Sequence, residues 1–479
     1  MKKILLLAVN VLVLYGCANN SPSDHTVPPS RPLVFVHANL IDMTNAAPKV
    51  DMTLVIIGNR IVKIGKSDKV KIPKDAQIVD VTEKFLIPGL WDMHVHIFDN
   101  VSAPGTNNKD NYFPLFLANG VTGVRDMFTD VEDIKLVREW KSELEAGQLL
   151  APRIAPGSSI IDGVPVIQKN SVGVSNADEA RKVVRTFKEA GAGYIKIYSN
   201  LSRESFFAIA DESKKLKIPF AGHVPVSVTP VEASNAGQKC IDHLKGMLLA
   251  CSTNQDKLFK IRNTRGEQWT LELFIEMMQS YSEQKCRDIA NVFVRNKTWH
   301  DPTLVVLRKN LSDDENIRED ARLRYVPADK AQRWKKYTGT LEPASRKDRE
   351  MDMVRWLEIL KIMHEEGVQI LAGTDVGNPY IYAGFSLHDE LELYIQAGFT
   401  PFEALETATI NPAKYLGMEK SLGTIEEGKI ADLVLLDADP LANISNTRKI
   451  HAVILNGRLL DRTTLNKMLA EVEAEVNKK

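Results

Sequence analysis

The spacing of apolar residues changes character along the chain, and each change marks a unit of structure. Residues 33–81 carry short runs rich in β-formers, Leu33–His37, Thr53–Ile57, Arg60–Ile64 and Gln77–Val81, separated by turn residues. Gly58-Asn59 falls between two of them at the spacing of a tight hairpin. From Leu86 onward short apolar strands alternate with amphipathic stretches. Eight strands are predicted, over Leu86–His96, Gly120–Met127, Arg153–Gly157, Tyr194–Tyr198, Pro219–Val224, Cys240–Lys245, Thr298–Val306 and Gln369–Asp375. Asp178–Ala190, Arg203–Leu216 and Met351–Glu366 are among the helices between them. Repeated βα units of this number predict an α/β fold, a (β/α)8 TIM-like barrel. After a helix at Pro401–Thr409 the β rhythm returns at Ala431–Asp437 and Ile450–Leu455. The chain then divides into a small composite β-sandwich built from both ends (33–85 and 421–464), a barrel (86–420) and a charged C-terminal helix (465–479) expected to be exposed.

Two connections, Gly246–Lys297 and Leu307–Val368, exceed what a barrel helix needs, and the second holds a dense charge stretch, Ser312–Arg324. Loops that follow barrel strands overhang the face where barrel enzymes work, so a lid is expected from them, with solvated decoration as the alternative.

The first residues are not fold. Lys2 and Lys3, the apolar run Ile4–Leu14 and the Leu14-Tyr15-Gly16-Cys17 ending resemble a bacterial lipoprotein signal peptide (1–17). That resemblance implies cleavage before Cys17, lipid on its sulfur and membrane anchoring through it. Residues 18–32, rich in Ser, Pro and Asn, read as a tether. Ala18 after the cysteine implies the outer membrane, with the protein exported and facing periplasm or exterior. Cys240, Cys251 and Cys286 remain; a Cys240–Cys251 or Cys251–Cys286 bridge and buried free thiols stay open as alternatives.

Charge is balanced, 61 Lys+Arg against 62 Asp+Glu, with no basic block interleaved with aromatics. A nucleic-acid partner is not expected.

The candidate chemistry lies at the ends of the predicted strands. Asp92, His94 and His96 alternate in Trp91-Asp92-Met93-His94-Val95-His96 and so project to one side. Lys196 lies within the fourth strand; His223, His243 and Asp375 end the fifth, sixth and eighth. The C-terminal end of barrel strands is where catalytic residues gather. Four of only ten histidines fall there, and histidine with carboxylate is a donor set for a divalent metal. A lysine in an apolar strand must be paired, or lose its charge. Singly, each residue has an ordinary structural reading, Asp375 as a helix cap for instance; together they predict a metal centre.

These residues resemble those of the amidohydrolase superfamily, in its binuclear subtype with a carbamylated lysine, close to the imidazolonepropionase and Xaa-Pro dipeptidase group. The resemblance extends to Asn411-Pro412-Ala413, Leu416-Gly417 and Gly423-Thr424-Ile425-Glu426-Glu427-Gly428. It implies that His94, His96 and Asp375 bind one divalent ion, that His223 and His243 bind another, both zinc by preference, and that a CO2-derived carbamate on Lys196 bridges them. It further implies hydrolysis of an amide C–N bond in a small dipeptide or N-acyl amino acid, with Asp375 as the catalytic proton carrier. Tyr198, Arg125 and His300 are candidates for substrate binding; Arg125 has pairing with a buried acid as its alternative, and His388 is expected on a helix surface. Cyclic-amide, lactone or phosphotriester hydrolysis stays open, as does a binding lipoprotein without activity. Deamination is disfavoured because His223-Val224-Pro225-Val226 lacks the glutamate of the superfamily's mononuclear deaminases. Oligomeric state is left open.

Overall fold

A computed structural model of the chain describes residues 31–98, 107–265, 271–310, 319–338 and 344–478. The expected signal peptide with Cys17, nearly all of the tether and most of the charge stretch 312–324 lie outside them.

Both chain ends build one eight-stranded sheet. Leu33–Leu40, Lys49–Ile57, Arg60–Lys66, Gln77–Asp80 and Phe85–Pro88 join Leu433–Leu436, Ile450–Leu455 and Arg458–Asp461. Leu33–Leu40 is the corner: its first half runs parallel to Gln77–Asp80 and its end pairs with Phe85-Leu86. Phe35, Leu40, Leu54, Ile56, Leu433 and Ile454 form its core, none more than 1 % exposed. The Gly58-Asn59 turn is present, with Ile57 opposite Arg60 and Gly58 at φ +59°.

The predicted strand Leu86–His96 is two strands. Phe85–Pro88 pairs with Leu433–Leu436 in the sheet, and Leu90–Val95 opens the barrel beside Val121–Asp126. Gly89 is the joint, with a backbone so close to its neighbour that a Cβ would stand 2.0 Å from Thr122 Oγ1. The barrel continues through Arg153–Pro156, Ile195–Ile197, Phe220–Gly222, Cys240–Asp242 and Trp299–Asp301. Its third stave is broken: Arg153–Pro156 pairs with the second strand, Ile160–Gly163 pairs with the fourth, and Ser158 between them accepts a hydrogen bond from Lys196 N at 2.8 Å. The eighth stave is stitched in by Leu371 N to His300 O, Met93 N to Ala372 O and Asp375 N to His94 O, at 2.7–2.8 Å.

Helices start and stop where local chemistry dictates. Asn176 caps Ala177–Ala190, which buries Ala180, Val184 and Phe187 and ends at Gly191 in the left-handed region. The expected seventh strand shortens to Trp299–Asp301, because Leu304–Asn310 is helical. The buried Glu390 carboxylate accepts from Leu304 N at 2.9 Å and Val305 N at 2.8 Å, a helix cap supplied from 85 residues away. The last helix is Arg462–Val476, and it is not the free helix expected. Its apolar stripe Leu465, Met468, Val472 and Val476 is buried, and the helix packs against Lys109–Ala118. Cys251 and Cys286 are disulfide-bonded, and Cys240 is a buried thiol. Among the described residues no helix is long and apolar enough to cross a membrane.

Candidate metal centre

The C-terminal mouth of the barrel opens into a cavity of about 340 Å³, and six of the predicted site residues, His94, His96, Lys196, His223, His243 and Asp375, line it. Strand alternation delivers the first pair. His94 and His96 stand two apart, their rings 5.5 Å between centroids. His243 lies 4.8 Å from His94 and 4.9 Å from His223, so four imidazoles form a continuous arc. Asp375 closes it, with Oδ1 3.0 Å from His96 Nε2 and 3.5 Å from His94 Nε2. Donor atoms of His94, His243 and Asp375 all lie within 4.8 Å of one another.

Backbone strain is stored here. His243 and Asp375 sit at φ +57° and +58°, a region non-glycine residues seldom occupy. Each is pinned by its amide, His243 N to Asp301 O at 2.8 Å and Asp375 N to His94 O at 2.7 Å. Other contacts fix the ring orientations. His223 Nδ1 meets Ser199 Oγ at 2.8 Å and His243 Nδ1 meets Thr303 Oγ1 at 2.6 Å, which leaves both Nε2 atoms to the cavity.

The electrostatics suit cation binding. Burial pushes the His94 and His223 imidazoles well below the usual histidine range and His243 to about 4, so all three are neutral near pH 7. Burial alone would raise Asp375; its interaction with His94 and the hydrogen bond to His96 outweigh that and hold it ionised. Neutral imidazoles beside a carboxylate are donors in the protonation state a divalent ion requires. His94 Nδ1 is also buried without a hydrogen-bond partner. The residues therefore fit a metal.

Beneath the imidazoles lies a charged layer. Lys196 Nζ donates to Asp242 Oδ2 at 2.6 Å. Arg125 donates to Asp301 Oδ2 at 2.9 Å, to Met93 O at 2.6 Å and to the Tyr415 hydroxyl at 3.1 Å. Asp301 Oδ2 in turn stands 3.5 Å from His94 Nδ1. Asp242 and Asp301 were not assigned from sequence, although alternation around Asp301 turns both it and Trp299 inward.

That alternation corrects two expectations. His300 points outward; its ring lies 4.5 Å from Phe293 and is fully buried away from the cavity. Arg125 is also fully buried and holds Asp301, the alternative of a buried acid, rather than a substrate carboxylate. Tyr198 does line the cavity, its ring 3.9 Å from that of His223 and its hydroxyl 3.3 Å from Gln168 Nε2. His388, expected at a helix surface, is buried and bonds to Thr447 Oγ1 and Asn119 O.

Known proteins share this architecture. The bottromycin amidohydrolase aligns with a TM-score of 0.72 at 21% identity, over 92% of this chain and 90% of its own. A Xaa-Pro dipeptidase with bound methionine in its active site aligns with a TM-score of 0.64 at 21% identity, over 90% of this chain and all of its own. Sequence relatives are partial. The imidazolonepropionase of Thermoplasma volcanium is 33% identical over 110 residues, 22% of this chain and 26% of its own. The 5-methylthioadenosine/S-adenosylhomocysteine deaminase of Thermoanaerobacter pseudethanolicus is 29% identical over 119 residues, 20% of this chain and 27% of its own. The chain thus spans about a quarter of the length of these two curated relatives. The profile of the amidohydrolase family, by contrast, matches residues 85–460, and on that match the chain belongs to the amidohydrolase family.

Proposed function

We propose that the protein is a metal-dependent hydrolase that cleaves the amide C–N bond of a dipeptide or N-acyl amino acid. The observation that carries this is the convergence of His94, His96, Lys196, His223, His243 and Asp375 on one cavity at the barrel mouth. His94, His96 and Asp375 would hold one divalent ion and His223 and His243 a second, with Lys196 taking CO2 on Nζ to supply a further anionic donor; zinc would suit such donors. When bound, the ions polarise the scissile carbonyl and acidify an attacking water.

The chain's own side chains supply the rest. Asp375, kept ionised by its histidine contacts, takes the proton from the attacking water and returns it to the leaving nitrogen. Ser199 and Thr303 hold the His223 and His243 rings in place. Tyr198 presents its hydroxyl to the substrate oxygen from the wall of the same cavity. A cavity of about 340 Å³ suits a substrate of dipeptide size. Export with a lipid on Cys17 completes the proposal, supported by the Cys251–Cys286 bridge, since disulfides persist in oxidising compartments.

Metal analysis of the protein truncated at Cys17, and of its Lys196→Met variant, tests this together with hydrolysis of dipeptide and N-acyl amino-acid panels. Two metals per chain, lost with amidase activity in the variant, are expected. One tight metal indifferent to Lys196 would overturn the carbamate bridge. Metal without amide cleavage would move the substrate to a cyclic amide, lactone or phosphotriester.

A further inference from the structure

The barrel has a second cavity, at the end opposite the metal centre. It measures about 510 Å³, larger than the mouth cavity, and Trp91, Arg153, Tyr194, Pro219 and Lys239 enter it from the starts of the strands. Catalytic groups of a barrel gather at the other end, so the amide chemistry makes no use of this space. Its volume lies within the range of small-molecule sites, about 300–1,000 Å³. Trp91, Trp140, Tyr194 and Tyr415 line it, each no more than 4 % exposed. A Cβ at Gly123 would stand 2.1 Å from the Trp91 indole, so the glycine is what lets that ring take its place in the wall.

Three cations reach this cavity, and they differ in what already holds them. Arg153 is ion-paired with Asp432, and the exposed Lys141 has Glu145 4.0 Å away. Lys239 is half-buried and donates to Tyr415 O at 2.7 Å, with Nζ 4.3 Å from the centre of the Tyr415 ring. No carboxylate among the described residues pairs with it, and the described lining contains neither Asp nor Glu. An ammonium has three donors, so two remain beyond the one given to Tyr415. Burial and the Arg125 guanidinium both lower the Lys239 pKa. A charge so placed gains from an anion beside it.

We infer that this cavity binds a small apolar carboxylic acid, its body against Trp91, Trp140 and Tyr194 and its carboxylate on Lys239. A cationic ligand would meet like charge with no acid to offset it, and a wholly apolar one would cover the ammonium without pairing it. The inference stands apart from the reaction at the barrel mouth.

The test is calorimetric titration of the metal-loaded protein with 4-phenylbutyrate and with its amide, which share one body. Wild type is expected to bind the acid about tenfold tighter than the amide. Lys239→Gln keeps a donor for Tyr415 O and should bring the acid down to the affinity of the amide, which itself stays unchanged. Ala155→Leu fills part of the cavity and should weaken both ligands. An unchanged melting temperature verifies each fold, and where Lys239→Gln melts lower, Ala155→Leu decides alone. A carboxylate can also bind a metal, so each titration is repeated on chelator-treated protein, where the affinity for the acid should be the same. No binding of the acid, a preference that survives in Lys239→Gln, affinities indifferent to Ala155→Leu, or acid binding lost with the metal would each overturn the inference.

Discussion

Replacing Lys196 with methionine probes the charged layer under the imidazoles. Lys196 is 1% exposed and Asp242 fully buried, with Nζ to Oδ2 at 2.6 Å. Burial would raise the Asp242 carboxyl; Lys196 outweighs it and keeps the group ionised well below the usual range. Without the lysine the carboxylate keeps the Cys240 thiol at 3.7 Å and Arg125, whose NH2 stands 3.5 Å from the other oxygen and is already committed to Asp301 at 2.9 Å. Removing one partner of a buried pair costs about 3–5 kcal/mol, and the residual Arg125 contact puts this case near the lower end, about 3 kcal/mol. Neutralising both groups, Lys196→Met with Asp242→Asn, should recover most of that, because a packed neutral pair is often as stable as the ion pair it replaces. The double variant should therefore be about 2 kcal/mol more stable than Lys196→Met alone. Denaturant unfolding of chelator-treated protein is the assay, so that metal binding does not contribute to the measured stability. A loss below about 1 kcal/mol for Lys196→Met alone, or a double variant less stable than the single one, would refute the reasoning.

His300 offers a second perturbation. Both ring nitrogens are buried without a partner, and burial lowers its pKa to about 3. The neutral ring is the folded form, so its contribution to stability is complete above the unfolded pKa of about 6.5 and fades as pH falls toward 3. His300→Leu should gain about 1–2 kcal/mol at pH 7, flatten the acid limb below about pH 6.5 and leave kcat untouched; an unchanged pH–stability profile would contradict this. Removing the disulfide with Cys251→Ala and Cys286→Ala, 35 residues apart, should cost about 4 kcal/mol by loop entropy, measurable as a fall in denaturation midpoint. Asp375→Asn should keep the far-ultraviolet circular dichroism of the wild type but lower kcat by about two to four orders of magnitude, and retained activity would exclude it as proton carrier.

The sequence carried what depends on local period. Alternation in Trp91–His96 placed two imidazoles on one side, and the βα rhythm located the second, fourth, fifth and sixth staves to within a few residues. What it did not carry was set by contacts from far along the chain. Glu390 ends the seventh strand early by capping Leu304–Asn310, and Leu433–Leu436 captures Phe85–Pro88 and so divides the first expected strand. The direction of His300 was readable, since alternation that turns Asp301 inward turns its neighbour outward. The place of Lys330 and Trp334 in the lining of the mouth cavity was not, because it depends on how helix Ala328–Thr338 settles on Tyr380 and Tyr382.

The sheet shared by both ends has a kinetic consequence. Ile61 N bonds to Lys429 O, Asn59 to Asn456, and Leu433–Leu436 lies along Phe85–Pro88, so its pairings join residues more than 340 positions apart. Closing loops of that span is slow, and the unclosed sheet would leave Phe85–Pro88 as an unpaired apolar edge until the last strands arrive. Folding of this chain should therefore stay incomplete until synthesis has delivered residues 433–461. Truncation before Leu433 should cost solubility as well as stability, since the barrel would be left beside an open edge that invites association with other chains.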